Sequence, residues 1–324
     1  MRRASRRPSR LSRQSERSSD AGGLTALVVA SFGRHVLVEE SDGRRILCHP
    51  RGKKNEAVVG DRVRWLPTAD EGTIEHIQPR RNLLHRQDEL RIKSFAANLD
   101  QVLILLAAEP EFSETQLARA LIACKAQQLP VLIGLNKRDL HPAFERAWAR
   151  LEPYRQMGEE VLPLAIKPGG AAPDLADLRA RLHSKATLVL GPSGAGKSSL
   201  VNTLVPQAGA ATAEISRALA SGRHTTTRTM LYWLEAQRSS ALIDSPGFQE
   251  FGLHHIPAAA LATLMPDLQA HTRDCRFHNC SHRHEPGCGV IAALQMPKGV
   301  AGISPSRYRI YLDLFEEVSR PPRY

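Results

Sequence analysis

The chain has 324 residues, 42% of them hydrophobic, and a formal net charge of +11 from 44 Lys and Arg against 33 Asp and Glu. That length and apolar fraction exclude a wholly disordered chain and allow two or three domains with a real core, and the positive charge points to a polyanionic partner, nucleic acid or an acidic membrane. No run approaches the ~18 consecutive apolar residues of a membrane span and no apolar segment follows the basic start, so a cytoplasmic protein without membrane insertion is expected.

The first twenty residues hold seven arginines, two acids and almost nothing apolar. Residues 1–22 are therefore expected to form a disordered basic arm, solvated and non-specifically attracted to RNA. A transit peptide would share the Ser/Arg bias, but Leu11 is the only large aliphatic side chain after Met1 and no amphipathic face forms.

Residues 23–84 carry five short β-type runs, "LTALVVAS", "HVLVEES", "RRILCHP", "GDRVRWL" and "GTIEHIQP", broken by Gly, Pro and Asp turns. The spacing predicts a small five-stranded barrel. With Lys53, Arg62, Arg64, Arg80 and Arg81 it fits an oligonucleotide-binding (OB) fold, the alternative being an SH3-like or purely structural barrel.

Residues 85–252 are expected to form one domain, and from 99 to 252 the texture is α/β. "DQVLILLAAE", "PVLIGLNK", "EVLPLAI", "ATLVLG" and "SALIDS" read as buried parallel strands, "SETQLARALIACKAQQL" as a helix with a Ser and Glu start, and "TMLYWLEA" as a further strand after a loop. From 253 to 324 come helical pieces, a Cys/His cluster and a closing helix in "PSRYRIYLDLFEEV".

"GPSGAGKSS", from Gly191 through Pro192, Ser193, Gly194, Ala195, Gly196, Lys197 and Ser198 to Ser199, lies after the strand "ATLVL" and before the helix "KSSLVNTLV", where a phosphate-binding loop must sit. Its glycines let backbone N–H groups close around phosphates, Lys197 brings charge to the outer phosphates, and Ser198 can ligate Mg²⁺. "DSPG" ends another strand, placing Asp244 where it can hold Mg²⁺ through water and Gly247 where its N–H can meet the γ-phosphate; alone this string is an ordinary strand-ending turn.

"NKRD", Asn136, Lys137, Arg138 and Asp139, separates guanine from adenine. Guanine offers adjacent donors on N1 and N2 that one carboxylate, Asp139, accepts together. Adenine's N1 is an acceptor and leaves that carboxylate unpaired, a penalty on the order of 1–3 kcal/mol or more. Asn136 can tie the loop and reach the imidazole edge, and the stem of Lys137 can cover the base. The stretch Ala165, Ile166, Lys167 stands loosely where a second base-side loop of the form S-A-K is expected.

The usual GTPase order runs phosphate loop, switch I, D-x-x-G, NKxD, S-A-K. Here it runs NKRD, AIK, phosphate loop, "GRHTTT", DSPG, a rotation of one circular order. Strand-end loops of a parallel sheet converge on one edge whichever strand comes first, so a circular permutation keeps the site and moves only the termini. Both flanking domains are then expected to feel the switch segments directly. Phe248 stands where many GTPases carry a water-orienting glutamine; slow intrinsic hydrolysis is expected. His224 is the candidate catalytic group within the chain, against a loop histidine with no chemistry. One of Thr225, Thr226 and Thr227 is expected to ligate Mg²⁺, with Thr226 carried as the candidate.

"CRFHNCSHRHEPGC" spaces Cys275, Cys280, His282 and Cys288 as C-x4-C-x-H-x5-C. Three thiolates and one imidazole complete a tetrahedral set for one structural Zn²⁺, leaving His278 and His284 spare. Arg273, Arg276 and Arg283 around it either touch RNA or are simply solvated. Cys48 and Cys124 fall in a strand and a helix and read as core or near-surface residues.

With its permuted order, leading barrel and trailing Cys/His knuckle, the chain resembles the bacterial ribosome small subunit-dependent GTPase A family over roughly residues 24–320, a likeness carried by "GPSGAGKSS", "GRHTTT", "DSPG" and the cysteine spacing. The resemblance implies an N-terminal all-β OB-type barrel, a central circularly permuted α/β P-loop GTPase domain and a C-terminal mostly helical zinc-binding domain. It further implies GTP and GDP as ligands, the 30S subunit and its 16S rRNA as partners, a role in late subunit maturation, and hydrolysis stimulated by the subunit. A monomer is expected. Two rivals stay open: a P-loop ATPase or kinase, which Asp139 argues against, and a nucleotide-dependent RNA-binding protein with negligible turnover.

Overall fold

The computed structural model describes residues 23–32, 34–52, 56–68, 71–88, 91–166, 173–208, 229–245, 253, 255–296 and 302–320. The five N-terminal runs form β1 (Leu24–Phe32), β2 (His35–Glu39), β3 (Arg45–Pro50), β4 (Arg62–Pro67) and β5 (Gly72–Ile77). β1 pairs antiparallel with both β2 and β4, β2 pairs with β3, β4 with β5, and β3 runs parallel to β5, which closes a barrel in the order β1-β2-β3-β5-β4. This is an OB-type barrel. Its interior holds Val28, Val36, Val38, Cys48, Val63, Trp65 and Ile74. Gly72 makes room for the indole: a Cβ there would stand 2.6 Å from Trp65 Cε3 and 2.5 Å from Cys48 Sγ.

Between the barrel and the α/β part lies a two-stranded ribbon that strand spacing alone did not reveal, β6 (Leu83–Asp88) and β7 (Arg91–Ala97). It is pinned to the barrel by backbone contact at Gly60. That residue has φ +93°, and a Cβ on it would fall 2.1 Å from the carbonyl oxygen of Ala97.

The α/β sheet contains β8 (Gln101–Ala107), β9 (Val131–Asn136), β10 (Glu160–Pro163), β11 (Ala186–Leu190), β12 (Thr229–Trp233) and β13 (Ala241–Asp244) in the order β10-β9-β8-β11-β13-β12. Five strands are parallel; β12 is antiparallel to β13. Alternate residues of β8 enter different cores, Val102, Ile104 and Leu106 on one face and Leu103, Leu105 and Ala107 on the other, which is why the run reads as continuously apolar. The first face is covered by α1 (Glu114–Ala126), α2 (His141–Arg150) and α3 (Glu152–Gln156), the second by α4 (Pro173–Leu182) and α5 (Lys197–Leu204). Ser113 caps α1 by accepting from the Gln116 N–H at 3.3 Å. Cys48 and Cys124 are both fully buried.

The C-terminal part comprises α6 (Ala258–Leu261), a 3₁₀ turn (Ala262–Leu264), α7 (Pro266–Thr272), α8 (Gly289–Ala293) and α9 (Pro305–Ser319). Leu261, Met265, Leu268, Ile310 and Leu314 join the same core as Leu117 and Leu121 of α1. Arg307 locks the junction. Its guanidinium donates to both Asp267 oxygens at 2.8 and 3.0 Å and lies 5.1 Å from the Tyr154 ring centroid in α3. Among the described residues no helix is long and apolar enough to cross a membrane.

Candidate functional site

The loop after β11 turns into α5 through two left-handed glycines, Gly194 at φ +79° and Gly196 at φ +101°. Gly191 passes so close to β8 that a Cβ would sit 2.1 Å from the Leu105 carbonyl oxygen. These positions need glycine for sterics alone, and the result is a tight loop at a helix N-terminus, a geometry that presents N–H groups to anions. The Lys197 ammonium donates to the carbonyls of Gly191 at 2.6 Å and Pro192 at 3.1 Å, wrapping the loop around itself. Ser193 and Ser198 are exposed at its mouth.

Asp244 ends β13, the strand beside β11, and pairs in register with Val189. Burial pushes its carboxyl above the ordinary value, against the pull of Lys197 and of the Ser245 N–H. Burial likewise pushes the Lys197 ammonium down, and Asp244 opposes it. The two groups are thus each other's charge partner in a part-buried site at the carboxyl edge of the sheet.

Asn136 ends β9 and is 2% exposed. Its Nδ2 donates to the Ala195 carbonyl of the phosphate loop at 2.9 Å, and its Oδ1 accepts from the Ile166 N–H at 2.9 Å. The approach requires Gly196, where a Cβ would stand 2.4 Å from Asn136 Nδ2. Lys137, at φ +66°, donates from Nζ to the Glu109 carbonyl at 2.5 Å. Arg138 donates from its backbone N–H to Leu164 at 3.0 Å and from its guanidinium to Asp174 at 3.3 Å. Asp139 is exposed on the turn before α2. The structure therefore brings NKRD, the phosphate loop, Ile166 and Asp244 to one edge. Lys167, His224, Thr225, Thr226, Thr227, Gly247 and Phe248 lie outside the described residues, as does the basic arm 1–22.

Cys275, Cys280, His282 and Cys288 place one ligand atom each within 4.8 Å of one another. Cys275 Sγ is 3.4 Å from His282 Nδ1 and 3.9 Å from Cys288 Sγ, and Cys288 Sγ is 3.5 Å from the same nitrogen. A tetrahedral ion with metal–sulfur distances near 2.3 Å and metal–nitrogen distances near 2.0 Å separates its ligands by about 3.5–3.8 Å, so the set fits a metal ion. Burial pushes the Cys280 thiol up to about 12 and raises Cys288, and it lowers His282. A cation at the centre would reverse the thiol shifts by favouring thiolates.

Three residues that hold this cluster were not apparent from spacing. The Glu285 carboxylate accepts from the N–H groups of Ser281 at 2.6 Å, Arg283 at 3.0 Å and His284 at 3.2 Å, which holds it well below the usual carboxylate range. Tyr308 and Tyr311 on α9 donate to the carbonyls of His282 and Ser281, each at 2.8 Å. Their i, i+3 spacing on one helix face was the available signal. Tyrosine is not a ligand type of such sites, and Glu285 lies outside the Cys/His spacing, so a search for that spacing passes over all three.

A phosphate loop, an N-K-x-D strand end and a D-x-x-G aspartate, joined at one sheet edge but met in rotated chain order, define a circularly permuted P-loop GTPase, a GTP hydrolase. Residues 77–254 match the family model described as RsgA GTPase. The small ribosomal subunit biogenesis GTPase RsgA of Variovorax paradoxus is 63% identical over 294 residues, covering 91% of this chain and 92% of that one. The protein of the same name from Burkholderia pseudomallei is 52% identical over 296 residues, covering 90% and 92%. Among solved structures, YjeQ from Thermotoga maritima superposes with a TM-score of 0.69 at 28% identity over 92% of this chain and 99% of that chain. YloQ, described as a circularly permuted GTPase, gives 0.66 at 26% identity over 96% and 100%. The chain belongs to the RsgA GTPase family.

Proposed function

We propose that this GTPase binds the small (30S) ribosomal subunit through its 16S rRNA and acts in the late maturation of that particle, which stimulates its hydrolysis of GTP. The observation that carries the nucleotide reading is the double hydrogen bond of Asn136, which makes the base-side and phosphate-side loops one body. The printed role of the relatives, small ribosomal subunit biogenesis, supports the choice of particle, and the +11 charge suits an RNA partner.

In this reading Gly191–Ser199 cradle the phosphates, Asp139 reads guanine beside Asn136, Lys137 and Arg138, and Asp244 and Gly247 face Mg²⁺ and the γ-phosphate. Ser198 and Thr226 ligate Mg²⁺, and His224 orients the attacking water. Zn²⁺ is the ion of the Cys275, Cys280, His282, Cys288 set, because a closed tetrahedral site of three thiolates and one imidazole suits zinc. The arm 1–22, barrel 23–84, GTPase unit 85–252 and zinc unit 253–324 are the functional divisions, with the β6–β7 ribbon at the first junction. The protein is a cytoplasmic monomer.

The test is GTP hydrolysis by the purified chain, alone, with 30S subunits and with 50S subunits, with Lys197→Ala as control. A large rise with 30S alone, lost in the control, is expected. No rise with any particle would overturn stimulated hydrolysis in favour of nucleotide-dependent RNA binding with negligible turnover.

A further inference from the structure

The barrel is continuous with the GTPase sheet. β1 pairs antiparallel with β12, Ala30 opposite Met230 and Ser31 opposite Thr229. Met230 in turn pairs with Asp244, and Asp244 with Val189 of the phosphate-loop strand. A single register row thus runs Val189, Asp244, Met230, Ala30, from the phosphate loop into the barrel. β12 starts two residues beyond Thr227, the last residue of "GRHTTT".

A buried carboxylate fastens this row from the side. Glu39, at the end of β2, is 5% exposed. Its Oε1 accepts from the Trp233 indole N–H at 2.7 Å, its Oε2 accepts from Arg45 at 2.7 Å, and the Arg238 guanidinium lies 3.7 Å from Oε1. Arg238, in the β12–β13 turn, also reaches the Ser41 carbonyl at 3.5 Å and lies over Gly43, where a Cβ would stand 1.8 Å from its Nη2. Burying a carboxylate is costly unless it is paired. Arg45 partners Glu39 from within the barrel, but Oε1 finds its partners, Trp233 and Arg238, only when GTPase strand β12 is docked against the barrel.

We infer that Glu39, acting through Trp233, is a positioning residue that couples nucleotide state in the GTPase site to the orientation of the barrel. The inference rests on the functional reading above for its partner and on the register row for its route. Packed strands shift as units, so a displacement of Asp244 at the nucleotide edge carries its register partner Met230 on β12 and, through it, Ala30 on β1. The clamp at Glu39 keeps the far end of β12 from slipping along the barrel edge.

The experiment uses the full chain, Trp233→Phe and Glu39→Gln, with GDP or a non-hydrolysable GTP analogue. The emission assigned to Trp233, taken as wild type minus Trp233→Phe, is expected to differ between the two nucleotides. The ratio of 30S affinities with GTP analogue and with GDP is expected to fall at least 5-fold in Glu39→Gln and to fall likewise in Trp233→Phe. Nucleotide affinity and basal hydrolysis should stay within twofold of wild type, which a general loss of folding would not allow. A Trp233 emission blind to nucleotide overturns the inference, as does an affinity ratio unchanged in both variants when the wild type does discriminate between the two nucleotides. A wild type whose 30S binding ignores nucleotide, with a Trp233 signal that responds, would sink the functional reading and leave the coupling standing.

Discussion

Asn136 and Ala195 are held 2.9 Å apart, side-chain amide to backbone carbonyl, although 59 positions separate them in the chain. Through this bond and the second one, from Ile166, the N-K-R-D strand end and the Gly191–Ser199 loop form one edge. In an unpermuted GTPase the same contact would run backwards along the chain. The bond is indifferent to chain order because it depends only on β9 and β11 flanking β8 in a parallel sheet.

Replacing Asn136 by Ala leaves the Ala195 carbonyl and the Ile166 N–H without their partner in a buried place, a cost of about 1–3 kcal/mol for each. Guanine nucleotide affinity is expected to fall at least ~10-fold and the melting temperature to drop. Calorimetric titration with GDP and a thermal melt of the same sample check both.

Asp244 supplies a pH prediction. Its folded value lies above the ordinary 3.8, so the fold favours the protonated acid. The stabilisation from protonation is present below the ordinary value and is lost as pH rises through the folded one. At neutral pH the ionised carboxylate is therefore a cost to the nucleotide-free fold. Asp244→Asn is expected to melt at a higher temperature than wild type near pH 7, with the difference shrinking toward pH 4, while Mg²⁺-dependent GTP hydrolysis falls by ~100-fold or more. Melts across pH, paired with a turnover assay, separate the two effects.

Elemental analysis of the purified chain is expected to return one zinc per chain, with Cys280→Ser reducing it. A strong chelator should lower the melting temperature and expose three thiols to a thiol reagent, since a bound ion would hold the thiolates and three of the four candidate ligand atoms lie in contact. A chain that melts identically with and without chelator would count against a structural metal.

Removing one partner of the Arg307–Asp267 pair uncovers a buried charge. Asp267→Asn and Arg307→Met are each expected to cost about 3–5 kcal/mol in urea unfolding. The pair is doubly bonded and Arg307 is 2% exposed. The double variant Arg307→Met with Asp267→Leu should cost clearly less than the two single costs added, as a coupled pair requires.

Much of the molecule was legible as pattern. The five barrel runs each became a strand, because alternation and Gly/Pro punctuation are local properties. The nucleotide loops were legible because glycines at 194 and 196 are demanded by backbone angles, and the metal set because four ligands fall within one short stretch. The rotated motif order even revealed the permutation. The β6–β7 ribbon was missed because "LLHRQDELRIKSFAA" mixes charged and apolar residues without a clear period.

The sequence by itself named the candidates for phosphate, guanine and a metal, and determined the chain order in which they come. Only the tertiary structure decided how the units join. That β12 runs antiparallel at the sheet edge, that β1 extends the sheet beyond it, and that Glu39 finds Trp233 across 194 positions are outcomes of strand pairing and burial. Edge pairing uses backbone groups that every residue carries, and a buried carboxylate is satisfied by whatever donors the fold brings near. Neither leaves a local signature in the residues that make it.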